Sequence, residues 1–190
     1  MRIIAGRHRG RRLSAPPGHA LRPTSDRARQ ALFDVLVHGH SAPALEGAKV
    51  LDAFAGTGAF GLEALSRGAA HATFMDVDGT ALECLLANVR DLGEFERATV
   101  LRADALSPPR ATRPCRLAFL DPPYGSGLAA QALTALAQSG WLAAGTLAIV
   151  ELAAKEPFEP PAGFAPEDER RYGATRFVLL RRRGRAPARG

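Results

Sequence analysis

The stretch that decides the fold covers residues 50–61 and reads Val50-Leu51-Asp52-Ala53-Phe54-Ala55-Gly56-Thr57-Gly58-Ala59-Phe60-Gly61. It predicts a buried strand, a glycine-rich turn and the start of a helix. Gly56, Gly58 and Gly61 match the G-x-G-x-x-G pattern of α/β sheets that bind a nucleoside ligand, and Asp76 follows twenty residues after Gly56. In such sheets the glycines let the backbone approach the ligand, and the acid accepts hydrogen bonds from ribose hydroxyls.

Outward from this stretch, strands and helices alternate along the chain. The predicted strands cover residues 49–53, 71–77, 99–102, 117–121 and 147–151. The first predicted helix runs from a cap at residues 24–26 to about residue 37, and the others cover residues 60–67, 80–92 and 128–138. This alternation predicts an α/β fold with a parallel sheet and helices on both faces. Residues 169–174 and 175–183 predict two strands without a helix between them, so an antiparallel hairpin should close a Rossmann-like sheet.

Asp52 narrows the choice of ligand. A carboxylate directly before the glycine loop would repel a pyrophosphate at the helix N-terminus, which disfavours NAD. It suits a ligand that carries an ammonium and a sulfonium, as S-adenosylmethionine does. Asp104 follows the third strand and could accept a hydrogen bond from an adenine amino group, although an aspartate there is equally consistent with a simple turn. The candidate cofactor-binding residues are Asp52, Phe54, Ala55, Gly56, Thr57, Gly58, Asp76, Val77, Asp104 and Ala105.

The segment Asp121-Pro122-Pro123-Tyr124 carries the candidate catalytic residues. Two prolines stiffen the backbone and remove two donors, which leaves carbonyl groups facing the cleft. The Asp121 carboxylate and the Pro122 carbonyl can accept both hydrogens of an aromatic amine and aim its nitrogen at a methyl group. Tyr124 offers a ring on which a flipped base stacks. Because stacking needs only the ring, Tyr124→Phe is expected to retain most activity.

The charge of the chain is concentrated at its two ends. Residues 1–29 and 170–190 together contain 16 of the 25 Lys and Arg residues and one of the 19 acidic residues. Such basic ends are typical of a protein that binds nucleic acid. Residues 2–13 predict two short strands, so the N-terminal arginines should lie on an ordered hairpin. The candidate RNA-binding residues are Arg2, Arg7, Arg9, Arg11, Arg12, Arg22, Arg27 and Arg29.

The remaining composition favours a cytoplasmic globular enzyme. With 190 residues, the chain is long enough for one compact domain, in which residues 1–40 would form a basic RNA-binding extension and residues 41–190 a methyltransferase core. Two cysteines imply no disulfide framework, and no metal-ligand spacing is present. The uncharged residues 122–150 contain several glycines and glutamines, so they predict buried core and no membrane span.

Several motifs together resemble one known family. Residues 2–13, 21–27 and 61–69, with the glycine loop and the Asp-Pro-Pro-Tyr segment, look like those of the bacterial 16S ribosomal RNA guanine-N2 methyltransferases. The resemblance implies a seven-stranded sheet, S-adenosylmethionine as donor, and 16S ribosomal RNA in an assembled or assembling small subunit as substrate. Gln30 departs from the family, which usually carries an acid on the first helix.

Two other interpretations stay open from the residues alone. Asp-Pro-Pro-Tyr suits an adenine-N6 methyltransferase acting on DNA or RNA equally well, although a chain of 190 residues leaves no room for the additional recognition domain that such enzymes usually need. A non-catalytic RNA-binding or NAD-binding module is disfavoured by the joint presence of Asp52 and Asp121. Nothing in the sequence indicates an obligate oligomer, so a monomer is expected.

Overall fold

The computed structural model describes residues 1–16, 26–39 and 45–184. Its strands are β1 (Lys49–Ala53), β2 (His71–Asp76), β3 (Ala98–Arg102), β4 (Cys115–Leu120), β5 (Leu142–Ala153), β6 (Phe164–Tyr172) and β7 (Thr175–Arg182). Its α-helices are α1 (Asp26–His38), α2 (Ala59–Ser66), α3 (Gly79–Leu92) and α4 (Leu128–Gln138), and one turn of 3-10 helix covers Phe95–Arg97.

The seven strands form one sheet in the order β3-β2-β1-β4-β5-β7-β6. The first five strands of the chain are parallel to one another, and β7 pairs antiparallel with both β5 and β6. The predicted α/β fold with a C-terminal antiparallel hairpin is therefore confirmed. The hairpin places its second strand, β7, inside the sheet and leaves β6 at the edge.

Side chains alternate between the two faces of the sheet, as the period of a strand requires. One face packs with α1, α2 and α3 and includes Val50, Phe74 and Phe119. The opposite face packs with α4 and includes Leu51 and Ala118. The central strands are buried on both faces, which explains why their sequences form continuous apolar runs.

The N-terminal residues 1–16 fold onto the outer side of α2. The expected pair of strands is reduced to one antiparallel bridge between Arg2 and Arg12, closed by a turn in which Gly10 N–H donates to the Ile3 carbonyl. Ile3 and Leu13 are buried in the core. We call residues 1–13 the N-terminal hairpin. Because it packs into the core, it is an integral part of one domain in this structure.

The hairpin explains why α2 is buried on all sides. The carboxylate of Glu63, which has no exposed surface, accepts hydrogen bonds from the Ile4 and Ala5 amides at 2.7 and 3.1 Å. The Ser66 hydroxyl accepts one from His8 N–H and donates one to the Ala5 carbonyl. These bonds fix the hairpin against the helix, since a buried carboxylate deprived of its donors would be costly.

Two strands begin five residues earlier than the sequence predicts. β5 begins at Leu142, five residues before its predicted start, and its register against β4 shifts between Cys115 and Leu117. β6 begins at Phe164, and its first residues include Pro166 and two acids. An edge strand tolerates proline and charge because one side of its backbone needs no partner, so the usual strand pattern is absent there. None of the helices in the described residues has the length and apolar character needed to span a membrane.

Candidate active site

A cavity of about 390 Å³ opens at the carboxyl ends of β1, β2 and β4. β1 lies between the other two strands. After β1 the chain adds β2 and β3 on one side of it and then crosses back to add β4 on the other side. Ligands of open α/β sheets bind at this kind of switch point. The predicted cofactor-binding and catalytic residues that line the cavity are Asp52, Phe54, Ala55, Gly56, Thr57, Asp76, Val77, Asp121 and Pro123.

The three glycines of the loop have different roles. Gly56 has φ of 52° and open space where a side chain would lie, so only its backbone faces the cavity. An added Cβ at Gly58 would lie 2.3 Å from Leu85, and one at Gly61 would lie 2.3 Å from the Phe74 ring. Gly58 and Gly61 thus allow close packing of helix on sheet. Phe54 has φ of 60°, a strained conformation of the kind found at ligand sites.

Asp76 ties the glycine loop to the end of β2. One carboxylate oxygen accepts the Gly56 N–H at 2.7 Å, and the other accepts the Asp78 N–H at 2.9 Å. Each oxygen retains a second lone pair, which can accept a hydroxyl of a ligand. The side chain therefore organises the loop and also lines the cavity.

Asp52 is a buried acid, with 2% of its surface exposed. Its carboxylate accepts the Gly61 N–H at 2.8 Å. Burial raises the pKa of Asp52 well above its ordinary value; the bond from Gly61 opposes this shift, and the neighbouring carboxylates of Asp121 and Asp76 add to it. A cationic group bound in the cavity would relieve this cost, so the site is complementary to a positively charged ligand.

Asp121 follows the last residue of β4, and its amide contacts the Ala53 carbonyl at 3.4 Å. Asp121 and Pro123 line the cavity on the side opposite to β2, while Pro122 and Tyr124 are absent from its lining. The charge of Asp121 acts on both Asp52 and Tyr124. The segment 121–124 therefore borders the same cavity as the glycine loop, as predicted from the strand order.

Tyr124 carries an anchor that the sequence did not predict. Its ring is 38% exposed, and its hydroxyl donates a hydrogen bond to Glu151 on β5 at 2.9 Å. The Thr175 hydroxyl lies 3.5 Å away. Burial, chiefly, and the negative charge of Glu151 raise the pKa of Tyr124 to about 12. A signal for Glu151 existed, because it is the first charged residue after the uncharged residues 122–150.

Asp104 and Ala105 lie outside the cavity lining. The Asp104 carboxylate is exposed and accepts the Leu106 N–H at 2.8 Å, which is the geometry of a turn residue. Ala105 is buried on the α4 side of the sheet. Seven of the ten predicted cofactor residues thus line the cavity, and Gly58 lies beside them in the glycine loop. Asp104 and Ala105 are the two that the structure places elsewhere.

Most of the predicted RNA-binding arginines lie at the surface. Those described as exposed are Arg2, Arg7, Arg9, Arg11, Arg12 and Arg27, and Arg22 lies outside the described residues. Met1 and Pro16, at the two ends of residues 1–16, line the cavity. Arg7 and Arg11 lie farther along the hairpin, near the C-terminal ends of α2 and α3, where the Arg7 N–H donates to the Ser66 carbonyl and the Arg11 guanidinium donates to the Asp91 carbonyl.

The predicted RNA-binding role of Arg29 is wrong, because this residue lies in the interior of the protein. It is 1% exposed, so it cannot belong to an exposed basic surface. Its guanidinium donates to the Arg2 carbonyl at 2.6 Å and to the Asp26 carboxylate at 3.1 Å. Burial lowers the pKa of Arg29, opposed by the charges of Glu63, Asp26 and Glu151. The α1 pattern places this residue on the helix face that turns toward the sheet, where it also lines the cavity.

Gln30 takes part in a polar group on the outer side of α1. Its amide donates to Asp34 at 2.6 Å and accepts from Arg67 at 3.1 Å. Within residues 1–16, 26–39 and 45–184, His, Cys, Asp and Glu side chains form no group of three that could hold a metal ion.

The fold and the site define a Rossmann-like, S-adenosylmethionine-dependent methyltransferase. An RNA methyltransferase from Salinibacter ruber, solved in complex with S-adenosyl-L-homocysteine, has the same fold with a TM-score of 0.66 at 13% identity, over 88% of this chain and 97% of that chain. A putative methyltransferase from Escherichia coli aligns with a TM-score of 0.83 at 37% identity, over 97% of this chain and 99% of that chain.

The chain belongs to the ribosomal RNA small subunit methyltransferase D family. The family model described as conserved hypothetical protein 95 matches residues 1–181. The protein named ribosomal RNA small subunit methyltransferase D from Escherichia coli is 38% identical over 184 residues, which cover 96% of this chain and 90% of that protein. Its namesake from Haemophilus influenzae is 36% identical over 183 residues, covering 94% and 92%.

Proposed function

We propose that this protein transfers a methyl group from S-adenosylmethionine to the exocyclic N2 amine of a guanine in 16S ribosomal RNA. One observation carries the proposal: the glycine loop, the buried acid Asp52 and the segment beginning at Asp121 border one cavity at the switch point of the sheet. Relatives named as ribosomal RNA small subunit methyltransferases support the choice of acceptor.

The residues of the cavity fit the donor. S-Adenosylmethionine supplies an electrophilic methyl group on a sulfonium centre. Asp52, buried and disfavoured as an isolated anion, is assigned to its positive charge. Asp76 is assigned to the ribose hydroxyls, and the open backbone at Gly56 leaves room for the ligand to approach. Asp104 and Ala105 are assigned to the adenine end, and this assignment rests on their place in the family motif.

The segment 121–124 is assigned to the acceptor base. The lone pair of an aromatic amine is delocalised into the ring, so the nitrogen becomes a better nucleophile when hydrogen bonds from its two hydrogens turn the lone pair out of that conjugation. The Asp121 carboxylate and the Pro122 carbonyl would accept those two hydrogens, with Pro123 fixing the backbone. Tyr124 would stack on the flipped base. In-line positioning of the amine nitrogen then supplies most of the acceleration.

The exposed arginines of the N-terminal hairpin are assigned to the RNA backbone. Their guanidinium groups pair with phosphates through forked donors. A base must leave its stack to reach Asp121, and that costs a few kcal/mol, so the flanking backbone has to be held. We assign residues 1–40 to this contact and residues 41–190 to the chemistry, in a monomer that acts in the cytoplasm on the assembled or assembling small subunit.

Methyl transfer from labelled S-adenosylmethionine to different acceptors tests the proposal. Small ribosomal subunits and 16S ribosomal RNA from cells that lack the modification should accept label, whereas double-stranded DNA should not. Label in DNA, recovered as N6-methyladenine, would instead favour the adenine-N6 reaction that the same Asp-Pro-Pro-Tyr segment suits. Label in neither acceptor, from a protein that binds the donor, would contradict the choice of RNA.

A further inference from the structure

Glu151 lies behind the acceptor side of the cavity and has no role in the assignments above. It is 2% exposed and sits on β5 opposite Phe177 of β7, within the sheet. The Tyr124 hydroxyl donates to it at 2.9 Å. Because Glu151 is held inside the sheet, its carboxylate can fix the position of the half-exposed Tyr124 ring through this hydrogen bond.

The loop that carries Tyr124 lies at the surface between two elements of the core. It connects β4 to α4, and both Gly125 and Gly127 in it adopt a φ of 68°. The tyrosine side chain spans from this loop to β5 and to Thr175 at the start of β7. The hydrogen bond to Glu151 therefore ties the loop to β5, while the Thr175 hydroxyl lies at the limit of hydrogen bonding.

We propose that Glu151 is a positioning residue, which holds the Tyr124 ring beside Asp121 so that the acceptor base stacks with its amine aimed at the methyl group. This role rests on the proposed function. The phenol, with its pKa raised to about 12, stays protonated near neutral pH and keeps donating to Glu151. Tyr124→Phe keeps the ring but loses the hydrogen bond to Glu151, so this variant is now expected to lose activity, whereas stacking alone predicted that it would retain most of it.

Four variants test the role. Tyr124→Phe and Glu151→Leu both remove the bond and should lower kcat by about 10- to 100-fold, the order of effect that a misplaced reacting group produces. Glu151→Gln retains an acceptor oxygen of the same reach and should keep kcat within about threefold of wild type. Thr175→Val is the matched control on the other side of the same hydroxyl, and it should keep wild-type kcat because its contact is at the limit of hydrogen bonding.

Donor binding distinguishes positioning from damage to the fold. Calorimetric affinity for S-adenosylmethionine should stay within about twofold of wild type in all four variants, since none touches the donor side of the cavity. The double variant Tyr124→Phe, Glu151→Leu should be no slower than either single variant, because both remove the same interaction. A loss confined to kcat, rescued by glutamine, is the expected result.

The outcomes separate this role from the proposed function. Wild-type protein that transfers no methyl group to ribosomal RNA would overturn both. Wild-type transfer that survives Tyr124→Phe unchanged would overturn the role of Glu151 and leave the function standing. The role would also be overturned if Glu151→Gln were as slow as Glu151→Leu, if Thr175→Val were as slow as Tyr124→Phe, or if the two losses multiplied in the double variant.

Discussion

Asp52 is buried where its negative charge is disfavoured. Its charge therefore lowers the stability of the free protein but favours the binding of a cation. Its folded pKa is raised, so its stabilising contribution is present below the ordinary value of 3.8 and is lost as the pH rises through the folded pKa. At neutral pH the empty protein is destabilised by this group, whereas a bound cation would be stabilised by it.

Asp52→Asn should therefore stabilise the free protein and weaken its donor affinity. At neutral pH the free energy of unfolding should rise, because burial and the neighbouring carboxylates disfavour the Asp52 anion and the amide carries no charge. The gain should shrink as the pH falls toward 3.8. Affinity for S-adenosylmethionine should drop by about 1.5–3 kcal/mol, the usual range for a charged hydrogen bond. Urea unfolding across a pH series and calorimetry measure the two effects, and a variant that binds the donor as tightly as wild type would remove Asp52 from the donor site.

Asp76 is expected to combine a structural and a binding role. Asp76→Ala should weaken donor affinity by about 1.5–3 kcal/mol, because the acceptor for the ribose hydroxyls and the restraint on Gly56 are both removed. Calorimetry on the folded variant measures this loss. Undiminished affinity would show that the carboxylate serves only the two backbone amides whose hydrogen bonds it already accepts.

Asp121 should affect the chemistry without weakening donor binding. Asp121→Ala should lower kcat by at least about 100-fold, the range over which positioned acids and bases act. Donor affinity should stay nearly intact, because Asp121 is assigned to the acceptor amine. Single-turnover rates with calorimetry separate the two effects. A fall in donor affinity as large as the fall in rate would place Asp121 on the donor side.

Among the elements, the core strands could be predicted from their continuous apolar runs and the helices from their helical period. β1 and α4 have their predicted bounds, since both are buried segments flanked by glycine or polar residues. The early starts of β5 and β6 could not be predicted, because their first residues pair through backbone bonds that leave no pattern in the side chains.

The site was predictable only as far as motifs and strand order reach. The strand order brings Asp52, Asp76 and Asp121 to the same edge, so their proximity followed from the sequence. The burial of Arg29 and the bond between Tyr124 and Glu151 did not, because both depend on how side chains pack across elements far apart in the chain. The docking of the N-terminal hairpin on α2 was missed for the same reason.

The packing of α2 on β2 depends on the absence of a side chain at Gly61. Gly61→Ala would place a methyl group 2.3 Å from the Phe74 ring and should cost about 1–3 kcal/mol of stability. Gly79→Ala is the matched control in the first turn of α3, where the new Cβ would find its nearest atoms at 3.7 Å. It should be neutral or stabilising by up to about 1 kcal/mol. Equal midpoints of thermal unfolding for the two variants would contradict this packing.

The N-terminal hairpin is expected to carry the electrostatic contact with RNA. Arg9 and Arg12 are exposed and form no ion pair with any described residue, whereas Arg170 and Arg171 on β6 pair with Asp168 and Glu169. Replacing Arg9 and Arg12 by glutamine should weaken RNA binding and flatten the slope of log affinity against log salt by about 0.7 for each phosphate that is no longer neutralised. The same change at Arg170 and Arg171 should have little effect. A larger loss of affinity from the β6 pair would place the RNA at the other end of the sheet.

At the scale of the whole molecule, a basic hairpin borders the mouth of a cavity lined with acids. The acids surround the place assigned to a cationic donor, and the exposed arginines lie along residues 1–16, whose first and last residues line the cavity. This separation of charge lets one small domain bind two ligands of opposite sign without either site repelling its own ligand. The net charge of +6 is the sum of a basic N-terminal hairpin and an acidic cavity, so it matches the charge of neither one.

If this cavity methylates guanine N2 in 16S ribosomal RNA, the modified nucleoside must appear in subunits that have met the active protein and the donor. Small ribosomal subunits that lack the modification are incubated with S-adenosylmethionine and either the wild-type protein or Asp121→Ala, and the nucleosides of the 16S RNA are then quantified by mass spectrometry. N2-methylguanosine should appear with wild type, approaching one per subunit, and stay at background with the variant. Formation of N6-methyladenosine instead, or of equal N2-methylguanosine with both proteins, would contradict the account.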